Sequence, residues 1–216
     1  MLGLLVSIGQ AASAVEPIDI VEQVRLDVRT LAMPEPVHAT HSLRLTLVVL
    51  EGAGWQHEEV VAVAFAAAGL LSQCGVRLES VERLRVVTPP SYLDLYTPLS
   101  RKLAAHLSPP RPTIYFVRDT RQQPAFDAEA VGRGNSRNRP EMADTVWVTR
   151  AAQDLTIVLA HELVHVLSNN GEHVELRDNL MRDESAPGNT RLTEEQCARI
   201  HDAGVRHGLL QPVLPG

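Results

Sequence analysis

Two histidines and a glutamate stand close together in one segment, in the order His161-Glu162-Leu163-Val164-His165. On an α-helix, side chains four residues apart lie on the same face, one turn from each other. The two imidazoles can therefore bind one zinc ion, and Glu162 can reach a water molecule that attacks a substrate. The pattern predicts a metal site with His161 and His165 as ligands and Glu162 as the catalytic base.

The segment around this motif is apolar, which favours a buried helix over an exposed one. Between residues 153 and 168, apolar side chains recur at helical spacing: Leu155, Val158, Leu159, Leu163, Val166 and Leu167. Histidine and glutamate are costly to bury without partners. Because a metal ion is such a partner, a surface helix with chance histidines is the less favoured interpretation.

A catalytic zinc ion usually has three protein ligands, so a third ligand is expected nearby. The Asn-Asn-Gly of residues 169–171 predicts the end of the helix, with its glycine in the left-handed conformation. The chain then reverses and brings His173 back toward the helix end. His173 is the expected third ligand, and Glu172 and Glu175 are the alternatives.

These residues resemble the metzincin clan of zinc metalloproteases, whose pattern is H-E-x-x-H-x-x-G-x-x-H followed by a methionine-containing turn. Residues 179–181 (Asn-Leu-Met) look like that Met-turn. Ser168 stands at the family's glycine position, and His173 lies two residues beyond the family's third histidine. A helix that runs longer before turning would produce this spacing. The resemblance implies that Met181 supports the site by packing and does not bind the metal.

The resemblance covers residues 155–205 by motif, and it implies a metzincin-like α/β (α+β) domain over residues 41–216. That domain would have a mixed, mostly parallel sheet with a backing helix and an active-site helix in its N-terminal lobe, residues 41–170. A small irregular C-terminal lobe with one helix, residues 171–216, would follow. The resemblance also implies an antiparallel edge strand at residues 130–136, which would bind an extended peptide.

Local patterns predict the elements that must position the motif. The predicted strands cover residues 41–50, 76–87, 113–118 and 145–149, and the predicted helices cover residues 57–73, 92–107 and 153–168. The strand at residues 41–50 is expected to have one polar-leaning face. Thr193 with Gln196 fits a capping box at the start of a last helix. A short helix is predicted within residues 17–33, followed by a proline-bounded linker.

Composition excludes several classes of protein. The chain has 216 residues, 44% of them hydrophobic, which is enough to bury a core and excludes a disordered chain. The net charge of −6 argues against a nucleic-acid partner, because phosphate binding needs a basic excess. No run is long enough for an integral membrane segment. The two cysteines, Cys74 and Cys197, are predicted either to form one disulfide or to be buried free thiols.

The N-terminus favours export to the periplasm or the medium. Residues 2–8 are mostly apolar, and residues 12–14 (Ala-Ser-Ala) have the small-x-small form of a signal-peptidase site. These features predict a signal peptide over residues 1–14 and an N-terminal segment over residues 15–40. A cytoplasmic protein with a buried first strand is the alternative.

The expected function is that of a zinc-dependent metalloendopeptidase with one catalytic zinc ion and a peptide or protein substrate. Two alternatives are a non-catalytic zinc-binding module that recognises peptides and a metal-free interaction domain. The remaining histidines lack ligand spacing and are expected to be ordinary surface or boundary residues: His38, His41, His57, His106, His201 and His207.

Overall fold

The computed structural model describes residues 17–28, 38–121, 130–133, 140–183 and 186–213. Within these residues seven strands form one sheet: β1 (Asp19–Asp27), β2 (His41–Leu50), β3 (Val76–Val87), β4 (Thr113–Phe116), β5 (Ala130–Arg133), β6 (Thr145–Val148) and β7 (Leu210–Pro212). The helices are α1 (His57–Leu71), α2 (Thr97–Leu107), α3 (Leu155–Ser168) and α4 (Glu194–Arg206).

The sheet is mixed and mostly parallel, as predicted. Its strand order is β1-β3-β2-β4-β6-β5, and β7 pairs antiparallel with the first residues of β2. The four middle strands are parallel, whereas β1 and β5 run antiparallel to their neighbours at the two edges. Residues 130–133 therefore form the expected antiparallel edge strand. Residues 134–136 of that prediction lie outside the described residues.

The predicted helix within residues 17–33 is wrong where the chain is described. Residues 19–27 form β1, which pairs antiparallel with β3. Val24 and Leu26 are half-buried and alternate with the exposed Gln23 and Arg25, which is the two-residue period of a strand. The pairing with β3 decides the conformation of this segment. The predicted signal peptide and most of the linker lie outside the described residues.

The predicted central strand is confirmed, but its polar-leaning face is not. β2 spans His41–Leu50 and pairs with β3 on one side and with β4 and β7 on the other. Thr46 and Val48 should have lined the polar-leaning face, yet both are buried. Only Arg44 is exposed along this strand. A central strand of a largely parallel sheet is covered on both faces, so apolar and polar side chains need not alternate along it.

The helix α1 packs against α3, the helix that carries the histidine motif. Its buried side chains, which include Val60, Ala64 and Leu71, lie on one side of the helix. A short 3₁₀ turn then leads to Gly75, which has a φ of +68°. A Cβ at Gly75 would stand 2.9 Å from the Thr40 hydroxyl oxygen, so only glycine fits this turn before β3.

The helix α3 ends at Ser168, and the left-handed residue that terminates it stands one position beyond the family's glycine position. Asn169, not Gly171, adopts the left-handed conformation, with a φ of +47°. Asparagine tolerates this conformation better than other residues with a side chain. The expectation for Gly171 is therefore wrong, and the longer helix accounts for part of the wider spacing to His173.

The helix α4 starts as predicted. Thr193 and Gln196 form the capping box: the Gln196 amide donates to the Thr193 hydroxyl oxygen, and the Thr193 amide donates to the Gln196 Oε1 atom. In the first turn of α4, Cys197 forms a disulfide with Cys74 at the end of the turn after α1. The disulfide therefore ties α4 to the turn that follows α1. No helix in the described part of the chain is long and apolar enough to cross a membrane.

Candidate metal centre

Two histidines of the cluster stand on α3, one helical turn apart. The Nε2 atoms of His161 and His165 are 2.9 Å from each other. His161 is almost fully buried and His165 is half-buried. Leu159, Leu163 and Leu167 are fully buried and anchor the helix in the core. The buried face of α3 therefore holds both imidazoles in place.

Main-chain carbonyl groups fix the orientation of both rings. The Nδ1 atom of His161 lies 2.7 Å from the carbonyl oxygen of Leu180, and that of His165 lies 2.7 Å from the carbonyl oxygen of Asn170. Because a carbonyl oxygen can only accept, each Nδ1 atom must carry the hydrogen and donate it. Each neutral ring then presents an unprotonated Nε2 atom, the form that binds a metal.

The third histidine comes from the loop between α3 and α4. The Nε2 atom of His173 lies 3.1 Å from the Nε2 atoms of both His161 and His165. Its Nδ1 atom lies 3.1 Å from a carboxylate oxygen of Asp183. Next to His173, the Val174 amide donates to the carbonyl oxygen of Met181 and joins the two sides of this loop. Within the described residues these three histidines form a group that could hold a metal ion.

The donor set fits one metal ion. His161 and His165, with hydrogen on Nδ1, cannot donate to each other through Nε2, so their two Nε2 lone pairs converge with the Nε2 atom of His173. A tetrahedral zinc ion with Zn–N bonds of about 2.0–2.1 Å holds its nitrogens about 3.3–3.4 Å apart. The observed separations of 2.9–3.1 Å are close to that value. A cation at this position would remove the repulsion between the lone pairs.

Burial favours the neutral form of the two helix histidines. It lowers the pKa of His161 to about 4, and it also lowers the pKa of His165. The hydrogen bonds to the carbonyl oxygens of Leu180 and Asn170 oppose this shift only in part. Both rings are therefore neutral near pH 7, which leaves them ready to bind a metal ion without first losing a proton.

The two alternative ligands do not join the histidines. Glu172 is exposed; its carboxylate accepts from the Asn170 side-chain amide and lies 3.5 Å from the Arg199 guanidinium. Glu175 is exposed as well. Glu162 is half-buried and directly follows His161 on α3. Met181 is buried at the end of the Asn-Leu-Met turn.

Several residues around the site were not predicted from the sequence. The carbonyl groups of Leu180 and Asn170 and the carboxylate of Asp183 orient the three rings. No sequence pattern marks a main-chain carbonyl, although an Asp two residues after the Asn-Leu-Met turn was a signal that could have been noticed. Among the other histidines, His41 stacks on His201 with ring centroids 4.0 Å apart, away from the cluster.

Comparison with known proteins supports the fold. No family model matches the chain, and no curated protein matches it either. Among solved structures it is similar to metalloproteinase-II from Bacteroides fragilis, with a TM-score of 0.51 and 16% sequence identity. The match covers 80% of this chain and 57% of that protein's chain. The protein therefore has a metalloproteinase-like fold.

Proposed function

We propose that the protein is a zinc-dependent metalloendopeptidase. The observation that carries this proposal is the convergence of three Nε2 atoms within 3.1 Å of one another, beside Glu162 on α3. The metalloproteinase-like fold supports the same conclusion. His161, His165 and His173 would hold the zinc ion. Bound there, zinc would supply a Lewis acid that polarises the scissile carbonyl and makes water more acidic.

Glu162 is the proposed general base. Its carboxylate takes a proton from the attacking water and passes it to the leaving amine. A base on the same rigid helix as two ligands keeps a fixed position relative to them, as proton transfer requires. Met181 is the proposed packing support of the cluster, in the manner of a Met-turn: it is buried and directly follows Leu180, whose carbonyl group orients His161.

The proposed substrate is an extended peptide bound along β5. Among the described strands β5 pairs only with β6, and the pairing is antiparallel. An edge strand offers main-chain donors and acceptors to a peptide, so recognition would use the peptide backbone. The disulfide between Cys74 and Cys197 supports export, because such bonds persist in oxidising compartments.

The test compares wild-type protein with Glu162→Ala on an unbiased peptide mixture, with new termini identified by mass spectrometry. Wild-type protein is expected to make cuts that a chelator abolishes. Loss of the base should lower the rate by about 10²–10⁴-fold while zinc stays bound. Glu175→Ala is the matched control, because it removes an exposed carboxylate near the site and should leave the rate unchanged.

Two results would contradict the proposal. Cutting by Glu162→Ala at the wild-type rate would remove Glu162 from the mechanism. A folded, zinc-loaded wild-type protein that makes no cuts would favour the non-catalytic module that recognises peptides.

A further inference from the structure

Two buried side-chain amides form a reciprocal pair between the Asn-Leu-Met turn and α4. Asn179 Nδ2 donates to Gln196 Oε1 at 3.0 Å, and Gln196 Nε2 donates to Asn179 Oδ1 at 3.1 Å. Asn179 is 3% exposed and Gln196 is 8% exposed. Solvent therefore offers few hydrogen bonds to either side chain, and the NH2 group of each amide donates to the oxygen of the other.

The same two oxygens also hold the main chain. Asn179 Oδ1 accepts a hydrogen bond from the Met181 amide at 2.9 Å, and Gln196 Oε1 accepts one from the Thr193 amide at 2.8 Å. The amide pair therefore joins the turn to the start of α4. Leu180 lies between Asn179 and Met181, so its carbonyl group is fixed on one side by this pair.

The other side of Leu180 is held by a second set of contacts. Its amide donates to the carbonyl oxygen of Arg191 at 2.7 Å. Thr190 and Leu192, on either side of Arg191, are both bound to Gln73 in the 3₁₀ turn after α1. The Leu192 amide donates to Gln73 Oε1, and Gln73 Nε2 donates to the carbonyl oxygen of Thr190. The backbone around Leu180 thus has little freedom to move.

The Leu180 carbonyl is the group that receives the Nδ1 hydrogen of His161, at 2.7 Å. We propose that Asn179 and Gln196 are positioning residues for His161, holding the Leu180 carbonyl where it fixes the orientation and tautomer of that ring. This inference rests on the proposed function in that His161 is taken to be a metal ligand. Neither amide touches the reacting atoms; both act through the main chain of Leu180.

The chemistry of the pair supports a positioning role over simple packing. Two apolar side chains could fill the same space without the cost of burying amides. An amide pair instead fixes distance and direction at both ends, because each hydrogen bond requires its own geometry. A ligand whose orientation depends on one carbonyl group benefits from such rigidity.

The test uses Asn179→Ala and Gln196→Met in the full chain, with zinc affinity measured by competition with a chelator. Both variants are expected to bind zinc about tenfold more weakly than the wild type, at the lower end of the range for losing a direct partner of a metal ligand, because they loosen the Leu180 carbonyl without removing it. The double variant should lose no more than the worse single variant, because the two amides act as one unit.

The control is Ile200→Val, which weakens the packing of α4 one turn after Gln196 and removes no hydrogen bond. Its zinc affinity should stay within about twofold of the wild type. If Asn179→Ala and Gln196→Met lower the free energy of unfolding and leave zinc affinity unchanged, as Ile200→Val does, the pair is structural and the inference is wrong.

A second measurement separates this inference from the proposed function. Nuclear magnetic resonance of metal-free protein reports which ring nitrogen of His161 carries hydrogen. Wild-type protein should show hydrogen on Nδ1, and Asn179→Ala should show a mixture of tautomers. A failure to bind zinc or cut peptides would contradict the proposed function alone, whereas an unchanged tautomer in Asn179→Ala would contradict the inference.

Discussion

His161 and His165 lie on a buried helix and donate to main-chain carbonyl groups, whereas His173 lies on an exposed loop and donates to a carboxylate. The His173 side chain is 36% exposed, and that of Asp183 is 78% exposed. The helix half of the cluster is therefore built into the core. In the loop half, the orientation of the His173 ring depends on its contact with the Asp183 side chain at the surface.

This difference indicates how the cluster can hold two rings in fixed orientations and still leave the third exposed to solvent. A main-chain carbonyl cannot be removed by changing a side chain, and it is not screened by salt to the extent that a surface charge is. The loop ligand can move without disturbing the core. We expect the helix half to decide whether zinc binds at all, and the loop half to set how tightly it binds.

The largest effect on zinc binding should appear when a single histidine is removed, either from the helix half or from the loop half. His165→Ala is expected to bind no zinc, because it leaves one imidazole on the buried helix and one on the exposed loop. His173→Ala should keep weak binding, because the carbonyl groups still orient the two helix rings. Zinc content after gel filtration, measured by mass spectrometry, checks this. Equal retention by the two variants would remove the distinction between the halves.

Loss of the disulfide should destabilise the fold on which the helix half depends. Cys74 and Cys197 are separated by 123 residues, and a loop of that length corresponds to about 4–5 kcal/mol in the chain-entropy model. Cys74→Ser/Cys197→Ser should therefore lower the free energy of unfolding by about that amount, as measured by urea denaturation. A change below about 1 kcal/mol would mean that the bond contributes little.

A smaller effect is expected from Asp183→Ala, which removes the group that orients His173. Zinc affinity should fall about tenfold, at the lower end of the usual range, because the pair is exposed to solvent. Glu175→Ala is the control, since it removes the same charge from an exposed residue of the same loop that is not part of the histidine group. Equal losses in the two variants would indicate a general effect of charge and no orienting role for Asp183.

The parts of the fold set by local signals could be predicted from the sequence. The apolar period around the motif predicted α3, and the Thr193–Gln196 box predicted the first residue of α4. β1 was not predicted: its alternation of polar and apolar residues is short, and the pairing that settles its conformation is with β3, more than 50 residues away in the chain. Asn169 took the left-handed position expected for Gly171, a conformation that asparagine tolerates.

The sequence predicted the three histidines that the structure brings together, but not the groups that orient them. The grouping of His161 and His165 follows from their spacing, and that of His173 from the reversal of the chain after the helix. The Asn179–Gln196 pair joins residues 17 apart through side chains whose types are common in loops and caps. Only the path of the chain between α3 and α4 brings these amides together beside Leu180.

We expect one zinc ion to be held by the three histidines His161, His165 and His173. X-ray absorption spectroscopy of the zinc-loaded full-length protein tests it most directly. We expect three imidazole nitrogens at about 2.0–2.1 Å and one further light-atom ligand. A spectrum with two imidazoles or fewer, or a wild-type protein that retains no zinc, would contradict it.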